Sequence, residues 1–259
     1  NVFIATRDAK TGLMDLRVDF QGPRAGWSGK LAGTIEPDNF KGTALHFETA
    51  VKSTTAANAV HLTMKIPSPR LWWPREMGEQ NLYRLKLSFT PNIGKVCDVK
   101  QTTFGVRTVT MAPLTRGESP TLYNWTFVIN GEKHFVRGGG WCTMDSSMDF
   151  SRPRYERFLK LAADQHGQMV RAWGSGMPET DDFYDLCDRL GMLVMQEWPT
   201  AWNSHDVQPY DMLEETVRLN TIRLRNHPSL VMYGGGNESS RGRSKYRTQV
   251  RIASPGNST

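Results

Sequence analysis

The sequence predicts a multidomain protein of mixed class, in which an all-β unit at residues 1–115 precedes an α/β unit at residues 116–240. Apolar and polar residues alternate with a period of two through much of the first half. In the second half, strand-like apolar segments alternate with helix-like segments. The segment 111–121 is rich in turn-forming residues and separates the two patterns.

Clear alternation identifies strands in the first half at 14–20, 60–66 and 83–89. Each of these segments places an apolar side chain at every second position, as in a strand with one face in the core. Weaker alternation predicts further strands near 44–51 and 95–110. Short strands separated by Gly, Pro and Asn, with no helical pattern between them, favour an antiparallel β-sandwich of immunoglobulin-like size.

The second half contains strand and helix candidates in alternation. The strands are predicted at 134–137, 168–173, 192–197 and 229–233, and the helices at 153–166, 179–190 and 211–226. Ser151 and Pro153 suit the start of the first helix. Asp181 and Asp182 in its first turn and Gly191 after its last turn mark the ends of the second. The series predicts a parallel sheet that is covered by helices.

The ends of these predicted strands carry side chains that suit a binding or catalytic site. Functional residues of α/β proteins lie at the carboxyl ends of parallel strands, so we expect these residues to share one rim. They are Trp141, Arg171, Trp173, Glu197, Trp198, Asn237 and Glu238. A Trp face stacks on the apolar face of a sugar while carboxylates and amides bind its hydroxyls, which favours a carbohydrate site. The alternative is structural, with the Trp rings in the core and Arg171 and Glu197 in ion pairs.

The net charge of +6 and the pI near 9.3 would by themselves suggest a nucleic-acid partner. The tail 241–259 has no acidic residue and supplies +5 of that charge, through Arg241, Arg243, Lys245, Arg247 and Arg251. Residues 1–240 are therefore almost neutral, and we expect no nucleic-acid partner. No run of about 18 apolar residues occurs, so we expect no membrane-spanning helix either.

Cysteine and histidine spacing gives no sign of a metal site. Cys97, Cys142 and Cys187 lie far apart and form no Cys-x-x-Cys motif, and the six histidines lack the spacing of metal ligands. We therefore expect no metal and no cofactor. The sequence also contains three glycosylation sequons, at Asn124, Asn237 and Asn257. This pattern is too common to fix the compartment, which stays open, with a secreted, periplasmic or lysosomal location preferred to a cytoplasmic one.

Several short motifs occur in an order that is typical of one known family. In the first half they occupy 71–74, 78–83 and 104–107. In the second half they occupy 127–131, 137–141, 170–176, 183–188, 226–230 and 236–238. This set resembles glycoside hydrolase family 2 over about residues 60–240, and it is most similar to the β-mannosidase and exo-β-glucosaminidase branch.

The resemblance implies a fold and a reaction. Family members are retaining β-glycosidases with a jelly-roll domain, sandwich domains and a (β/α)8 barrel, so residues 116–240 would form the first half of the barrel. Carried over by position, Glu238 is implied to be the general acid/base and Asn237 to bind the sugar 2-hydroxyl. Arg171 and Trp173 are implied to line the subsite, where the Arg keeps the nucleophilic carboxylate ionised and the Trp stacks on the sugar.

The resemblance also sets out what this chain lacks. The family's nucleophile is a Glu near the end of the seventh barrel strand, beyond the four parallel strands that are predicted here. The likeness ends after Ser240, so the tail 241–259 is not expected to be family-like. We expect an internal segment of an enzyme that hydrolyses terminal β-mannosides by double displacement, and we expect this chain alone to be inactive. Its expected partners are a β-linked oligosaccharide or glycoside, and the remaining barrel and jelly-roll segments in the same or another chain.

Two alternatives stay open. The same chemistry could act on β-glucosaminides or β-galactosides, which differ from mannosides at the 2-position. The chain could also be a non-catalytic fragment or a carbohydrate-binding subunit of a multi-chain assembly.

Overall fold

The chain folds into two compact units. The computed structural model describes residues 1–22, 26–114, 125–142, 147–174, 176–202 and 209–238, and the backbone of 251–252. One unit comprises Asn1–Trp72 with Asn81–Arg107, and the other comprises Trp73–Gln80 with Thr108–Thr259. The sequons at Asn124 and Asn257, most of the turn-rich segment 111–121 and nearly all of the basic tail lie outside the described residues.

The first unit is a sandwich of two antiparallel sheets. Its strands are β1 Val2–Asp8, β2 Leu13–Gln21, β3 Trp27–Pro37, β4 Leu45–Ser53, β5 Ala57–Lys65, β6 Tyr83–Pro91 and β7 Asp98–Phe104. One sheet has the order β1-β2-β5 and the other the order β4-β3-β6-β7. The immunoglobulin-like sandwich that the alternating pattern predicts is confirmed.

The core of the sandwich consists of the alternating apolar side chains. Met14 and Leu16 on β2, Leu31 on β3, and Leu85 and Leu87 on β6 are buried in one cluster. Because successive side chains of a strand point to opposite faces, each strand contributes every second residue to this core. Fully burying one such side chain stabilises the fold by roughly 1.5–3 kcal/mol.

The alternating pattern does not predict strands β1 and β3. The buried positions of β3 include Gly29 and Gly33, where an apolar side chain would be expected. The ring of Phe47 occupies the space beside Gly33, and a Cβ atom on Gly33 would lie 2.1 Å from it. Phe89 fills the space beside Gly29 in the same way, at 2.5 Å. Aromatic rings from neighbouring strands therefore replace the missing side chains, and the sequence pattern of β3 is hidden.

The second unit combines a small antiparallel sheet with a parallel one. The strands β8 Val109–Pro113, β9 Trp125–Ile129 and β10 Glu132–His134 form the antiparallel sheet. There follow β11 Gly138–Trp141, α1 Arg152–Asp164, β12 Met169–Ala172, α2 Asp181–Leu190, β13 Leu193–Glu197, α3 Tyr210–Leu224 and β14 Leu230–Gly234. Strands β11 to β14 pair in parallel and in sequence order, and the two-residue β15 Arg251–Ile252 pairs antiparallel with β14. This is the start of an α/β barrel, as expected.

The first parallel strand differs from the predicted one at 134–137. Residues Glu132–His134 pair with β9 instead, and the glycines that follow the predicted segment form the strand. Gly138 lies opposite Met169, and a Cβ atom on Gly138 would lie 2.1 Å from the carbonyl oxygen of Met169. Glycine has a low strand propensity, so a close backbone approach of this kind has no signature in the alternating pattern.

The helix ends agree with the predicted signals in part. Asp181 and Asp182 lie in the first turn of α2, and Gly191 ends it in the left-handed conformation, with φ of 70°. Ser151 precedes α1 as its N-cap residue, with Pro153 in the first turn, but the Ser side chain makes no capping hydrogen bond. No helix among the described residues is long and apolar enough to cross a membrane.

The loop 73–80 belongs to the second unit although it interrupts the sequence of the first. The backbone N–H of Arg75 donates to the carbonyl of Gly191 at 3.0 Å. The carboxylate of Glu76 lies 2.5 Å from Nη2 of Arg137 and 2.7 Å from Nδ1 of His166. These contacts attach the loop to the segments before β11, before β12 and after α2.

Candidate functional site

Three predicted site residues from three different strand ends form one hydrogen-bonded cluster. Arg171 lies in β12, Glu197 is the last residue of β13, and Asn237 follows β14. Nε and Nη2 of Arg171 donate to the two oxygens of Glu197 at 2.8 and 3.0 Å. The same Nη2 donates to Oδ1 of Asn237 at 2.6 Å. We call Arg171, Glu197 and Asn237 the strand-end cluster. They lie at the carboxyl ends of β12 and β13 and just after β14.

Glu197 is the buried carboxylate of this cluster. It is 4% exposed, and both of its oxygens accept hydrogen bonds from Arg171. Oε2 also accepts from the backbone N–H of Gly174 at 2.9 Å. A buried carboxylate needs such donors, because an unpaired charge in the interior is costly. Glu197 thus forms an ion pair with Arg171, and its part in binding a sugar stays a prediction.

Asn237 is held by its backbone and by its side chain. Its N–H donates to the carbonyl of Thr200 at 2.8 Å, and its own carbonyl accepts from the N–H of Trp202 at 3.1 Å. The residue is 3% exposed. Because Arg171 can only donate, the amide oxygen of Asn237 faces the guanidinium, and the amide nitrogen remains as the donor for another acceptor.

Glu238 follows Asn237 and is exposed to solvent. Its φ of 49° lies in the left-handed region, which is uncommon for a residue other than glycine. Gly236 has a φ of 152°, and a Cβ atom there would lie 1.8 Å from Oγ1 of Thr200. Such costly backbone conformations persist where the surroundings fix them, and they cluster at functional sites. The backbone thus presents the Glu238 carboxylate at the rim.

The predicted aromatic residues have different surroundings. Trp173 packs edge-to-face against Trp202, with ring centroids 5.6 Å apart. Trp198 is 9% exposed and stacks on Tyr233 at 5.1 Å. Trp141 is partly exposed and packs against Phe183. Trp173 therefore contacts Trp202 at the rim, near Glu238. The ring of Trp198, in contrast, is mostly buried against Tyr233. The binding of a sugar by any of the three stays a prediction.

Two residues at this end of the sheet were not predicted from the sequence. The indole Nε1 of Trp202 donates to Oε2 of Glu238 at 2.6 Å. Its only sequence signal is its place in the loop that follows β13, the third parallel strand. The other is Glu179, which lies two residues before Asp181 at the acidic start of α2 and so resembles a helix-start residue rather than a site residue.

Glu179 is buried among aromatic side chains. One oxygen accepts from Nε1 of Trp141 at 3.1 Å, and the other accepts from the hydroxyl of Tyr155 at 2.5 Å. Burial raises the pKa of the Glu179 carboxyl, and the two donated hydrogen bonds oppose that shift. Burial, together with the neighbouring carboxylate, also raises the pKa of Tyr155.

The described residues contain no group of three His, Cys, Asp or Glu side chains that could hold a metal ion. Cys97 and Cys142 are exposed free thiols, and Cys187 is a buried one. Burial raises the pKa of the Cys187 thiol well above its usual value, so this cysteine is suited to packing rather than to reaction.

Two models of one protein family match this chain. The model for glycosyl hydrolases family 2 matches residues 1–107, and the model for the TIM barrel domain of the same family matches residues 168–253. The second match extends into the segment 241–259 that the sequence separates as a tail. The domain limits at 115 and 240 stay predictions.

Named relatives come from fungi, plants and bacteria. The chain is 33% identical to beta-mannosidase B of Emericella nidulans over 191 residues, covering 72% of this chain and 22% of that protein. It is 34% identical to mannosylglycoprotein endo-beta-mannosidase of Lilium longiflorum over 185 residues, covering 66% of this chain and 18% of that protein. The crystal structure of beta-D-mannosidase from Dictyoglomus thermophilum matches with a TM-score of 0.76 and 27% identity, over 90% of this chain and 28% of that one. The chain thus spans about a quarter of the length of these proteins.

Proposed function

Because the chain belongs to family 2 of the glycosyl hydrolases, we propose that it supplies the acid/base part of a retaining β-glycosidase that hydrolyses terminal β-linked mannosides. The observation that carries this proposal is the rim itself. An exposed carboxylate, Glu238, stands beside the strand-end cluster in a backbone conformation that the neighbouring loop fixes.

Glu238 acts in both steps of the proposed double displacement. In the first step a nucleophilic carboxylate attacks the anomeric carbon, the glycosidic bond breaks, and the Glu238 carboxyl gives its proton to the leaving oxygen. In the second step the Glu238 carboxylate takes a proton from water, whose oxygen attacks the anomeric carbon and releases the enzyme carboxylate. The exposed position of Glu238 suits exchange of both the leaving group and water.

The nucleophile of this reaction is a second carboxylate about 5–5.5 Å from the acid/base. Glu197 is unsuited to that role, because it is buried and both oxygens are bound by Arg171. We therefore place the nucleophile outside these 259 residues, either in another part of the same polypeptide or in a second polypeptide. We expect the 259 residues alone to be inactive. The small share of each relative that the chain covers is consistent with this assignment.

The remaining site residues bind and orient the sugar. The amide nitrogen of Asn237, turned away from Arg171, donates to the sugar 2-hydroxyl. Arg171 fixes that amide and places positive charge near the incoming nucleophile. Trp173 and Trp141 are the partly exposed rings that would stack on a sugar, whereas Trp198 supports the site by packing on Tyr233.

The proposal of a mannoside substrate rests on the names of the relatives. The proteins of Emericella nidulans and Dictyoglomus thermophilum are a beta-mannosidase and a beta-D-mannosidase, and the protein of Lilium longiflorum is an endo-beta-mannosidase. Cleavage at the chain end rather than within it is therefore part of the proposal. The β-glucosaminide and β-galactoside alternatives differ in the group that Asn237 would meet at the 2-position.

The test is hydrolysis of aryl β-mannosides by the complete protein that carries this chain. Glu238→Gln is expected to lower turnover by about 10²–10⁴-fold, the usual contribution of general acid/base catalysis. Glu215→Gln, on the exposed face of α3, is the control and is expected to leave turnover unchanged. Equal rates for Glu238→Gln and the unchanged protein would remove Glu238 from this role. Faster cleavage of a β-glucosaminide or a β-galactoside would instead change the substrate.

A further inference from the structure

Trp202 and Glu238 are joined by backbone and side chain. Ala201 and Asn237 form a parallel bridge between the loop after β13 and the segment after β14. Beside it, the N–H of Trp202 donates to the carbonyl of Asn237 at 3.1 Å. The side chains of the next residues then meet, with Nε1 of Trp202 2.6 Å from Oε2 of Glu238. The backbone contacts thus fix the starting points of both side chains.

Packing alone does not account for the position of Trp202. The residue is 62% exposed, so its burial contributes little to folding. Its φ of 48° and that of Glu238, 49°, both lie in the left-handed region, where residues other than glycine are disfavoured. Two costly backbone conformations therefore accompany one short hydrogen bond. The edge-to-face contact with Trp173 restricts rotation of the Trp202 ring and keeps its N–H directed at the carboxylate.

The indole N–H is a donor only, and this determines where Glu238 carries its proton. An oxygen that accepts a hydrogen bond from Nε1 at 2.6 Å cannot also hold a proton directed at that nitrogen. Because the carbonyl oxygen of a carboxylic acid accepts a hydrogen bond better than its hydroxyl oxygen does, the bond to Oε2 favours the acid form of Glu238 that carries its proton on Oε1. We propose that Trp202 is a positioning residue that binds Oε2 of Glu238 and so makes Oε1 the oxygen that exchanges the proton with the leaving group. This rests on the proposed acid/base role of Glu238.

A spectroscopic test of the contact needs no activity. The chain has eight Trp residues, so the 259-residue protein labelled with ¹⁵N-Trp should give up to eight indole N–H signals. Trp202→Phe identifies the signal of Trp202 by its loss. In Glu238→Gln that signal is expected to shift, because the charge of its acceptor is gone. The signal of Trp125, an exposed indole far along the chain, is the control and should not move. A Trp202 signal that is unchanged in Glu238→Gln would overturn the proposal.

A kinetic test separates positioning from a general structural effect. Trp202→Phe keeps an aromatic ring and removes the N–H. In the complete protein it is expected to lower kcat/KM by about 10-fold or more for aryl β-mannosides with poor leaving groups, which need the proton of an acid. Substrates with good leaving groups need little protonation, so their first step should change by less than about 2-fold. Trp125→Phe is the matched control and should change neither rate.

The outcomes distinguish this inference from the proposed function. If the unchanged protein cleaves no β-glycoside, the proposed function fails, and the spectroscopic test still decides whether Trp202 binds Glu238. Suppose instead that the unchanged protein is active. If Trp202→Phe lowers kcat/KM equally for substrates with poor and with good leaving groups, or lowers it for neither, the positioning role is wrong while the proposed function stands.

Discussion

Nη2 of Arg171 lies 2.6 Å from Oδ1 of Asn237, and the same nitrogen lies 3.0 Å from Oε2 of Glu197. One guanidinium thus connects the end of one strand to a buried anion and to the residue that precedes Glu238. The side chain that orients the amide of Asn237 is therefore the same one that neutralises Glu197. A change at Arg171 should affect both stability and the site.

Arg171→Ala is expected to lower the free energy of unfolding by about 3–5 kcal/mol, because it leaves Glu197 buried without its cation. Urea unfolding followed by tryptophan fluorescence measures this loss. Arg218→Ala is the matched control in the same unit. Arg218 also binds a carboxylate with two nitrogens, at 2.6 Å to each oxygen of Glu215, but this pair is exposed on α3. Its loss should cost about 0–1 kcal/mol. Equal losses in the two variants would show that Glu197 is not a desolvated charge.

Gly236→Ala is expected to displace the segment that carries Glu238. The new Cβ atom would lie 1.8 Å from Oγ1 and 2.8 Å from the carbonyl oxygen of Thr200, and the φ of 152° disfavours any side chain. Since that carbonyl accepts the N–H of Asn237, the contact between the two loops should break. We expect a loss of about 1–3 kcal/mol in unfolding free energy from the backbone conformation alone, together with a shift of the Trp202 indole signal.

Gly139→Ala is the control for this change. Gly139 lies in β11, and a Cβ atom there would meet nothing within 4 Å. Its effect should be limited to a small stabilisation or destabilisation from strand propensity. A Gly236→Ala variant as stable as Gly139→Ala, with an unmoved Trp202 signal, would contradict the role of Gly236.

The sequence predicts this fold well wherever side chains alone carry the signal. Alternation identifies β2, β5 and β6, and the charged start and glycine end identify α2. It fails where another part of the chain fills the space beside a glycine. At Gly33 the ring of Phe47 fills the core, and at Gly138 the neighbouring strand comes too close for a Cβ atom. Both contacts depend on residues that are distant in sequence, so no local pattern contains them.

In the candidate site, too, some features are predictable from local sequence and others depend on residues that are distant in sequence. Glu238 and Asn237 follow an apolar strand and a glycine run, so their position at a rim is predictable. The sequence leaves the partner of Arg171 open, and the fold decides it. The parallel register places Met195 opposite Arg171, and Glu197, two residues further along β13, accepts the hydrogen bond from Nε of Arg171. Trp202 was missed because its importance depends on the meeting of two loops, which is a property of tertiary structure.

Glu179→Gln is expected to remove a dependence of stability on pH. Burial raises the pKa of Glu179 in the folded protein above its usual value of 4.5. The folded state therefore holds the proton more tightly than the unfolded state, and stability falls as pH rises from about 4.5 through the raised pKa. Gln cannot ionise, so this fall should be smaller in the variant. Melting temperatures from pH 4 upward measure it.

The control for this change is Glu156→Gln. Glu156 is exposed on α1, and its hydrogen bond with Lys160 lowers its pKa instead of raising it. This variant should therefore keep the fall in stability that Glu179 causes. If Glu179→Gln and the unchanged protein have parallel pH profiles, the carboxyl of Glu179 does not carry the shift. The ¹⁵N indole signal of Trp141 offers a second measure, since Nε1 of Trp141 donates to Glu179.

His227 gives a pH dependence of similar sign at higher pH. Burial favours the neutral ring, but the carboxylate of Asp188, with Oδ2 2.6 Å from Nδ1 of His227, outweighs burial and raises the pKa of His227 above 6.5. Asp188 is itself fixed by the N–H of Ser229 at 3.0 Å. The protonated pair therefore stabilises the fold fully below about pH 6.5, and this contribution is lost as pH rises through the raised pKa.

In His227→Gln this loss should disappear, because the amide can bond to Asp188 but cannot titrate. Urea unfolding from pH 6 to 9 should show a decline for the unchanged protein and a flatter profile for the variant. His61→Gln, on an outward-facing, exposed position of β5 in the sandwich, is the control and should retain the decline. A decline of equal size in His227→Gln would mean that another group titrates. A rise in stability over this range in the unchanged protein would mean that burial wins and that His227 is neutral in the fold.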